Sequence, residues 1–545
     1  MFLNTGENAG QRQHVELISL QFALFFVLAL ALYYALGRFA PKWQWTVLLL
    51  VSYAFLFFAG GLTAMLFPVI IAALTFFAAR RIDAIEKESA AARKATKDRT
   101  ERKSLKEAFG KKKRHVLVAA LVMSLVILGY FKYLNTILYY AGIAVSFTSL
   151  GILLPLGLSF YLFQSLSYLI DVYNQKQDTE PSFIRYLLFV SWFPQMIQGP
   201  INRYAALAPQ LTAPHAPDAH QMGKGLLRMG LGLVKKVAIA NILVDAVNVV
   251  FVRAAGPEIA GSLALYGVLV YSIQMYADFS GGIDLVEGAS ELFGIEMAQN
   301  FRQPYFSTSL AEFWRRWHMS LGAWMRDYVF YPLAVTKFCK NMGRRAKEKW
   351  GRHIGRTLPA CFANVVVFLM VGVWHGAEMH YVVWGLYNGI IVALADLLSP
   401  AFDSLAEKLH VNKESAGFHL FAIVRTFLVV CVGRFFDCFV GVSDAFIALA
   451  HVFMPHTYAP IAETLAAHGA LYASSWGIPV PALIGCLVVF AIDIAYERGI
   501  DVRERMLAMR VVPLALIVCA LTVLVAFGFA LDATQGGGGF LYANF

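Results

Sequence analysis

Apolar runs of about 20 residues recur along the whole of this 545-residue chain, and no water-soluble interior could hold them all. They fall near 15–36, 43–59, 62–79, 116–133, 135–152 and 153–173, then near 183–200, 224–253, 262–293, 359–377, 379–398, 418–440, 478–495 and 510–531. Hydrophobic residues make up 59% of the chain and charged residues 15%, against about 45–50% and about 25% in an ordinary soluble domain. The fold class implied is all-α: a polytopic helical membrane protein forming a single membrane domain over residues 1–545. We expect about eleven transmembrane helices, with re-entrant or half-length helices, ringed around a central cavity or tunnel. Several runs are broken by Gly and Pro, as in Leu154-Pro155-Leu156-Gly157 and Phe193-Pro194. Irregular backbone persists at membrane depth only where protein or a wet cavity satisfies its polar groups. The first run, about Val15–Leu36, has no small-residue cleavage site after it and is read as a retained span.

The basic excess falls in two segments between apolar runs. Residues 80–114 hold fourteen Lys/Arg against six Asp/Glu, and residues 337–356 hold eight against Glu348 alone. The net charge is +11, so the rest of the chain is close to neutral and slightly acidic. Basic loops between apolar runs are what the positive-inside rule places in the cytoplasm, which favours a membrane topology signal over nucleic-acid binding. Both segments are therefore expected as cytoplasmic loops, and the stretch Ile82–Lys113 as a solvated helix. An acidic carrier protein or anionic lipid headgroups would be natural partners for such a surface. The less apolar stretch 451–476 reads as an external or interfacial loop, and the glycines Gly536–Gly539 as flexible linkage. Six scattered cysteines, with no C-x-x-C pair, read as small buried hydrophobes.

Polar side chains inside apolar sequence are costly and mark cavities or reaction paths. Val371-Gly372-Val373-Trp374-His375-Gly376 places one imidazole between long apolar flanks, with two glycines that allow close approach by a backbone or a substrate. A general base must be a neutral imidazole, and burial favours that form. A hydrogen-bonded core histidine explains the same pattern when the residue is taken alone. A second cluster, Phe313-Trp314-Arg315-Arg316-Trp317-His318-Met319-Ser320-Leu321, has helical spacing that sets Trp314 and Trp317, and Trp314 and His318, on one face. Rings beside arginines could line a mouth for an anionic thioester donor; an interfacial helix with Trp at the headgroups and Arg snorkelling fits equally well. Trp324, Arg326, Asp327 and Tyr328 follow. Upstream, Asp278, Ser280 and Asp284 sit in apolar sequence, with Arg315, Arg316 or Arg326 as expected partners of the carboxylates. Gln164, Gln195 and Gln198, with Pro194, Gly199 and Pro200, suggest a broken segment lining the cavity. No phosphate-binding loop, dinucleotide fingerprint, G-x-S-x-G or H-E-x-x-H occurs. His375 and His380 are five apart, outside the i, i+4 spacing of a helical metal pair, so no metal is expected.

These elements together resemble the membrane-bound O-acyltransferase family. The residues that carry the resemblance are Pro155-Leu-Gly-Leu-Ser-Phe160, Phe193-Pro-Gln195 with Gln198-Gly-Pro200, Asp278-Phe-Ser280, Asn300-Phe301 with Pro304-Tyr305, Phe313-Trp-Arg-Arg-Trp-His318, Arg326-Asp-Tyr328 and Trp374-His-Gly376. The likeness is greatest to the bacterial branch containing alginate O-acetyltransferase and the teichoic-acid D-alanyl transfer protein. It implies a multi-pass protein of the plasma or inner membrane in which funnels from both faces meet at a histidine. His375 matches the catalytic histidine and His318 the second functional histidine. His318 would either donate a hydrogen bond to the developing oxyanion or shape the donor tunnel. The resemblance also implies an acyl thioester co-substrate (acetyl-CoA or an acyl carrier protein), a cell-surface glycan acceptor and an accessory acyltransferase subunit, with no bound cofactor. The basic segments at 80–114 and 337–356 and the region from about 400 to 500 depart from the family pattern.

Overall fold

A computed structural model describes residues 18–140 and 155–533, and its regular structure is helical. Among the described residues no strand forms; one isolated antiparallel bridge joins Phe301 to Trp317. Among the described residues, eight helices are long and apolar enough to cross a membrane: Leu20–Phe39, Gln44–Ala95, Arg99–Tyr140, Arg352–His375, Met379–Leu397, Ala416–Cys438, Val480–Glu497 and Val511–Asp532. Their apolar stretches expose large hydrophobic side chains, as at Leu24, Phe57, Val126, Leu428, Leu487 and Phe527. In water such faces would drive aggregation, whereas lipid solvates them. The protein is therefore a multi-pass helical membrane protein.

The other apolar runs fall on shorter or interrupted helices. Run 153–173 becomes Leu158–Tyr173, started by a left-handed Gly157, and run 183–200 becomes Phe183–Ser191 and Phe193–Gln198. Run 224–253 lies within a helical stretch from Ala219 to Arg253 that widens to π-geometry at Val234–Ala240 and Val249–Arg253. Run 262–293 is the charged helix Gly261–Leu292. The expected span 135–152 beyond Tyr140 and the tail glycines Gly536–Gly539 lie outside the described residues.

The described residues fold as two compact units, one of residues 18–140 and 155–225 with 286–298, the other of residues 226–285 with 299–533. In the first, Phe22, Phe26, Phe55, Phe193, Phe293 and Trp192 interlock edge to face, a preferred geometry for aromatic pairs. The Ser52 hydroxyl accepts from the Phe193 amide and so pins the break between the two half-helices. The basic stretch expected as one solvated helix is instead two antiparallel ones. The Asp98 carboxylate accepts from the amides of Thr100 and Glu101 and starts a new helix at Arg99, and Lys113 returns to pair with Glu86 at 2.5 Å.

In the second unit the helices Arg352–His375 and Met379–Leu397 meet through glycines. A methyl group at Gly372 would lie 2.3 Å from the Tyr381 carbonyl oxygen, and one at Gly385 2.5 Å from that of Phe368. This is the close approach that small residues allow between membrane helices. Gly372→Val should therefore destabilise the fold by about 1–3 kcal/mol, as overpacking does, and lower the midpoint of thermal unfolding in detergent. An unchanged midpoint would show that the two helices part without cost. The basic segment at 337–356, expected as a loop, is the helix Lys337–Trp350, capped by Thr336 and running into the next helix through Gly351. It buries Cys339, Gly343 and Ala346 and exposes its lysines and arginines. The stretch 451–476 is irregular, with the short helix Ile461–Ala467.

Candidate active site

The helix beginning at Leu310 is capped by Ser309, whose hydroxyl accepts from the Glu312 amide, while Glu312 accepts in return from the Thr308 amide. It stops at Arg316. The expected shared helical face of Trp314 and His318 therefore does not form. The cause lies outside the motif, because residues 300–302 pair antiparallel with residues 316–319. Arg302 donates its amide to the Arg316 carbonyl at 3.0 Å, and Met319 donates to the Asn300 carbonyl at 2.9 Å. Trp317 is thereby extended, and His318 takes a left-handed conformation with φ of +47°. A left-handed backbone is uncommon for a residue with a side chain and persists where surrounding structure enforces it.

His318 is 4% exposed. Its Nδ1 lies 3.1 Å from the Asn300 Oδ1, and its ring meets the Phe279 ring edge-on at 4.9 Å. Burial pushes the imidazole well below its ordinary pKa, to about 3, so the ring is neutral at cytoplasmic pH.

His375 is the last residue of its helix, where Gly376 takes an extended conformation and ends it. Its ring is 9% exposed and sits among Trp374 at 5.0 Å, Trp384 at 5.2 Å and Tyr381 at 5.9 Å, measured between ring centroids. Trp374 also lies 6.2 Å from His318, so one indole stands against both imidazoles. Trp314 closes the arrangement: it packs edge-on against Trp384 at 5.4 Å and donates its indole N–H to the Asn388 side-chain oxygen at 3.1 Å. Trp314 and His318 from one segment and Trp374 and His375 from another thus form one aromatic and imidazole cluster. Tyr381, Trp384 and Asn388 belong to it and were not singled out in the sequence. Their spacing of three and four along an apolar run is the signal that could have revealed them.

The other arginines and carboxylates hold the frame. Arg316 pairs with Glu312 at 2.6 Å and with Glu497 at 2.7 Å, tying the motif helix to Val480–Glu497. Arg315 is exposed. Trp317 is buried between Phe313 and the guanidinium of Arg434, which stacks over its ring at 4.9 Å. The expected pairing of Asp278 and Asp284 with Arg315, Arg316 or Arg326 is not what forms. Asp278 pairs with Lys236 at 2.5 Å, and Asp284 with Lys235 at 2.7 Å and Arg228 at 3.2 Å. These cations sit on the interrupted helical stretch beside Gly261–Leu292, whereas Arg316 is held by Glu312 and Glu497 and Arg326 by Asp327. Arg326 pairs with its neighbour Asp327, Tyr328 packs on Trp324 at 5.2 Å, and Ser280 is buried. His380 bonds the Phe436 carbonyl oxygen at 3.0 Å, a structural contact.

Gln195 and Gln198 belong to the first unit. There the Gln195 side-chain oxygen accepts from Gln164 and from Asn202, each at 3.1 Å, and its nitrogen donates to the Phe189 carbonyl at 2.6 Å. Gln198 is fully buried beside them in sequence. The Gln195 and Gln164 side-chain nitrogens thus satisfy the Phe189 and Pro200 carbonyls around the broken half-helices from within. Among the described residues, no three His, Cys, Asp or Glu side chains converge as metal ligands.

Comparison with known proteins agrees with the motif reading. Residues 174–346 match the model of the membrane-bound O-acyltransferase family. The chain is 34% identical over 327 residues to the probable alginate O-acetylase of Pseudomonas syringae pv. tomato, covering 58% of this chain and 56% of that protein. It is 32% identical over 310 residues to the peptidoglycan O-acetyltransferase of Helicobacter pylori, covering 52% and 55%. With the teichoic acid D-alanyltransferase of Bacillus subtilis the identity is 28% over 285 residues, covering 51% and 67%. The matched stretch thus spans little more than half the length of the alginate and peptidoglycan relatives.

Proposed function

We propose that this chain, which bears the membrane-bound O-acyltransferase signature across residues 174–346, transfers an acyl group, in first place acetyl, from a cytoplasmic thioester to a hydroxyl of an exported or cell-surface polysaccharide. The observation that carries the reading is Trp374 packed against two buried imidazoles, His318 and His375, with His375 at the end of a membrane helix. His375 takes the proton of the acceptor hydroxyl as its oxygen attacks the thioester carbonyl. The carbon–sulfur bond then breaks, and the thiolate leaves carrying the electron pair and is protonated. Acid–base help of this kind is worth about two to four decades in rate. Trp314, Trp374, Trp384 and Tyr381 keep water from the reacting carbonyl, where it would compete with the acceptor hydroxyl.

The donor is acetyl-CoA or an acidic acyl carrier protein, and the basic surfaces at 80–114 and 337–356 face it from the cytoplasm. That orientation in the plasma or inner membrane follows from the positive-inside rule. The names of the Pseudomonas and Helicobacter relatives support acetyl as the group and a glycan as the acceptor; an accessory acyltransferase subunit would complete delivery on the outer side. Transfer of D-alanine to teichoic acid is the second reading, favoured by the D-alanyltransferase matches. Purified protein in lipid, supplied with labelled acetyl-CoA or with a labelled D-alanyl carrier protein and candidate glycans, separates the two. We expect label to appear as acetyl ester on polysaccharide hydroxyls. Label arriving only from the D-alanyl carrier would move the assignment to the second reading, and glycan crossing the bilayer with no new ester would mark a transporter.

A further inference from the structure

The start of helix Met319–Met325 has an unusual cap. His318 occupies the capping position yet makes no capping bond with its own side chain. The exposed amides at a helix start need acceptors, and here both come from one residue eighteen positions upstream. The Asn300 carbonyl oxygen accepts from the Met319 amide at 2.9 Å, and its side-chain oxygen accepts from the Ser320 amide at 3.1 Å and the Ser320 hydroxyl at 2.8 Å. The same Oδ1 lies 3.1 Å from the His318 Nδ1, and Asn300 is wholly buried.

The Ser320 amide removes an ambiguity. A backbone N–H only donates, so the Asn300 atom it points to must be the oxygen and not the amide nitrogen. An amide oxygen only accepts, so the His318 Nδ1 facing it must carry the proton. In a neutral imidazole one nitrogen donates and the other accepts. We infer that Asn300 is a positioning residue that fixes His318 as its Nδ1–H tautomer, so that His318 meets the reacting groups through Nε2 as a hydrogen-bond acceptor. This rests on the O-acyltransferase reading above and sharpens it. An acceptor nitrogen can hold a glycan hydroxyl other than the attacking one, whose single proton goes to His375, and is the wrong polarity for a developing oxyanion, which requires a donor. Of the two roles open to His318 from the sequence, oxyanion donation by the neutral ring is therefore set aside.

Solid-state NMR of protein labelled with ¹⁵N-histidine in lipid bilayers reads the tautomer directly, with His318 assigned by difference from His318→Gln. Near neutral pH the proton is expected on Nδ1, with Nε2 bare. Asn300→Asp offers the same acceptor oxygen to all three donors and should keep that pattern, whereas Asn300→Ala should lose it. In the acetyl-transfer assay Asn300→Ala should lower kcat by about two to four decades, as misassigned tautomers do elsewhere, while the donor KM stays within about twofold. Asn300→Asp should recover part of the loss. A proton found on Nε2 in the wild-type protein, or a tautomer unmoved in folded Asn300→Ala, would overturn the inference. If Asn300→Ala fails to fold, the wild-type and Asn300→Asp spectra still decide. Absence of acyl transfer by the wild-type protein would instead count against the parent reading, since the spectra need no activity.

Discussion

Replacing His375 with Ala should abolish acyl transfer, with kcat falling by about two to four decades, while the protein still inserts and folds. The site argues for that separation. His375 is the terminal residue of its helix, so Ala there removes no interior turn, and Ala is a good helix former. The neighbouring packing of Trp374 against His318, and of Trp314 against Trp384, does not pass through the His375 ring. What disappears is the group able to take the hydroxyl proton. Transfer assays on variant and wild type matched for thermal stability in detergent test this, and near-normal turnover in a folded His375→Ala protein would remove the residue from the mechanism.

The second large effect concerns stability. Lys236 and Asp278 are each 1% exposed at the side chain, 2.5 Å apart. Lys236→Met would leave a buried carboxylate without its cation, and breaking such a pair typically costs about 3–5 kcal/mol. At 1% exposure water cannot solvate the charge left behind, and buried charges persist only when paired. Lys236→Met combined with Asp278→Leu should recover most of the loss, because an apolar pair of similar volume is often neutral or stabilising in place of a buried ion pair. Thermal unfolding in detergent of the two single variants and the double variant measures the coupling. Additive losses would mean that the two groups do not act as a pair.

The helical membrane body was legible because a 20-residue apolar run has few alternatives: lipid demands that its backbone bond internally. His375 stood out for a related reason, as an imidazole between glycines near the end of such a run is costly unless it is satisfied or serves a purpose. The path of His318 was not. Its helical spacing is genuine up to Arg316, but pairing with residues 300–302 ends the helix, and local periodicity carries no trace of a distant partner. The same applies to the carboxylates. Arg315 and Arg316 stood nearer in the motif, yet Arg316 is held by Glu312 and Glu497, and the partners of Asp278 and Asp284 come from adjacent lysines in another run. Lys235 and Lys236 were visible as charges within apolar sequence and could have been flagged on that ground alone. Tyr381, Trp384 and Asn388 were hidden differently, since an aromatic stripe at helical spacing ordinarily means core.

The most direct test of the central claim is mass spectrometry of surface polysaccharide from cells with the gene, without it, and complemented by wild type or His375→Ala. Acyl transfer at His375 predicts that O-acetyl esters are lost with the gene, return with the wild-type protein and stay absent with the variant. Esters that persist without the protein, or return equally with His375→Ala, would contradict it.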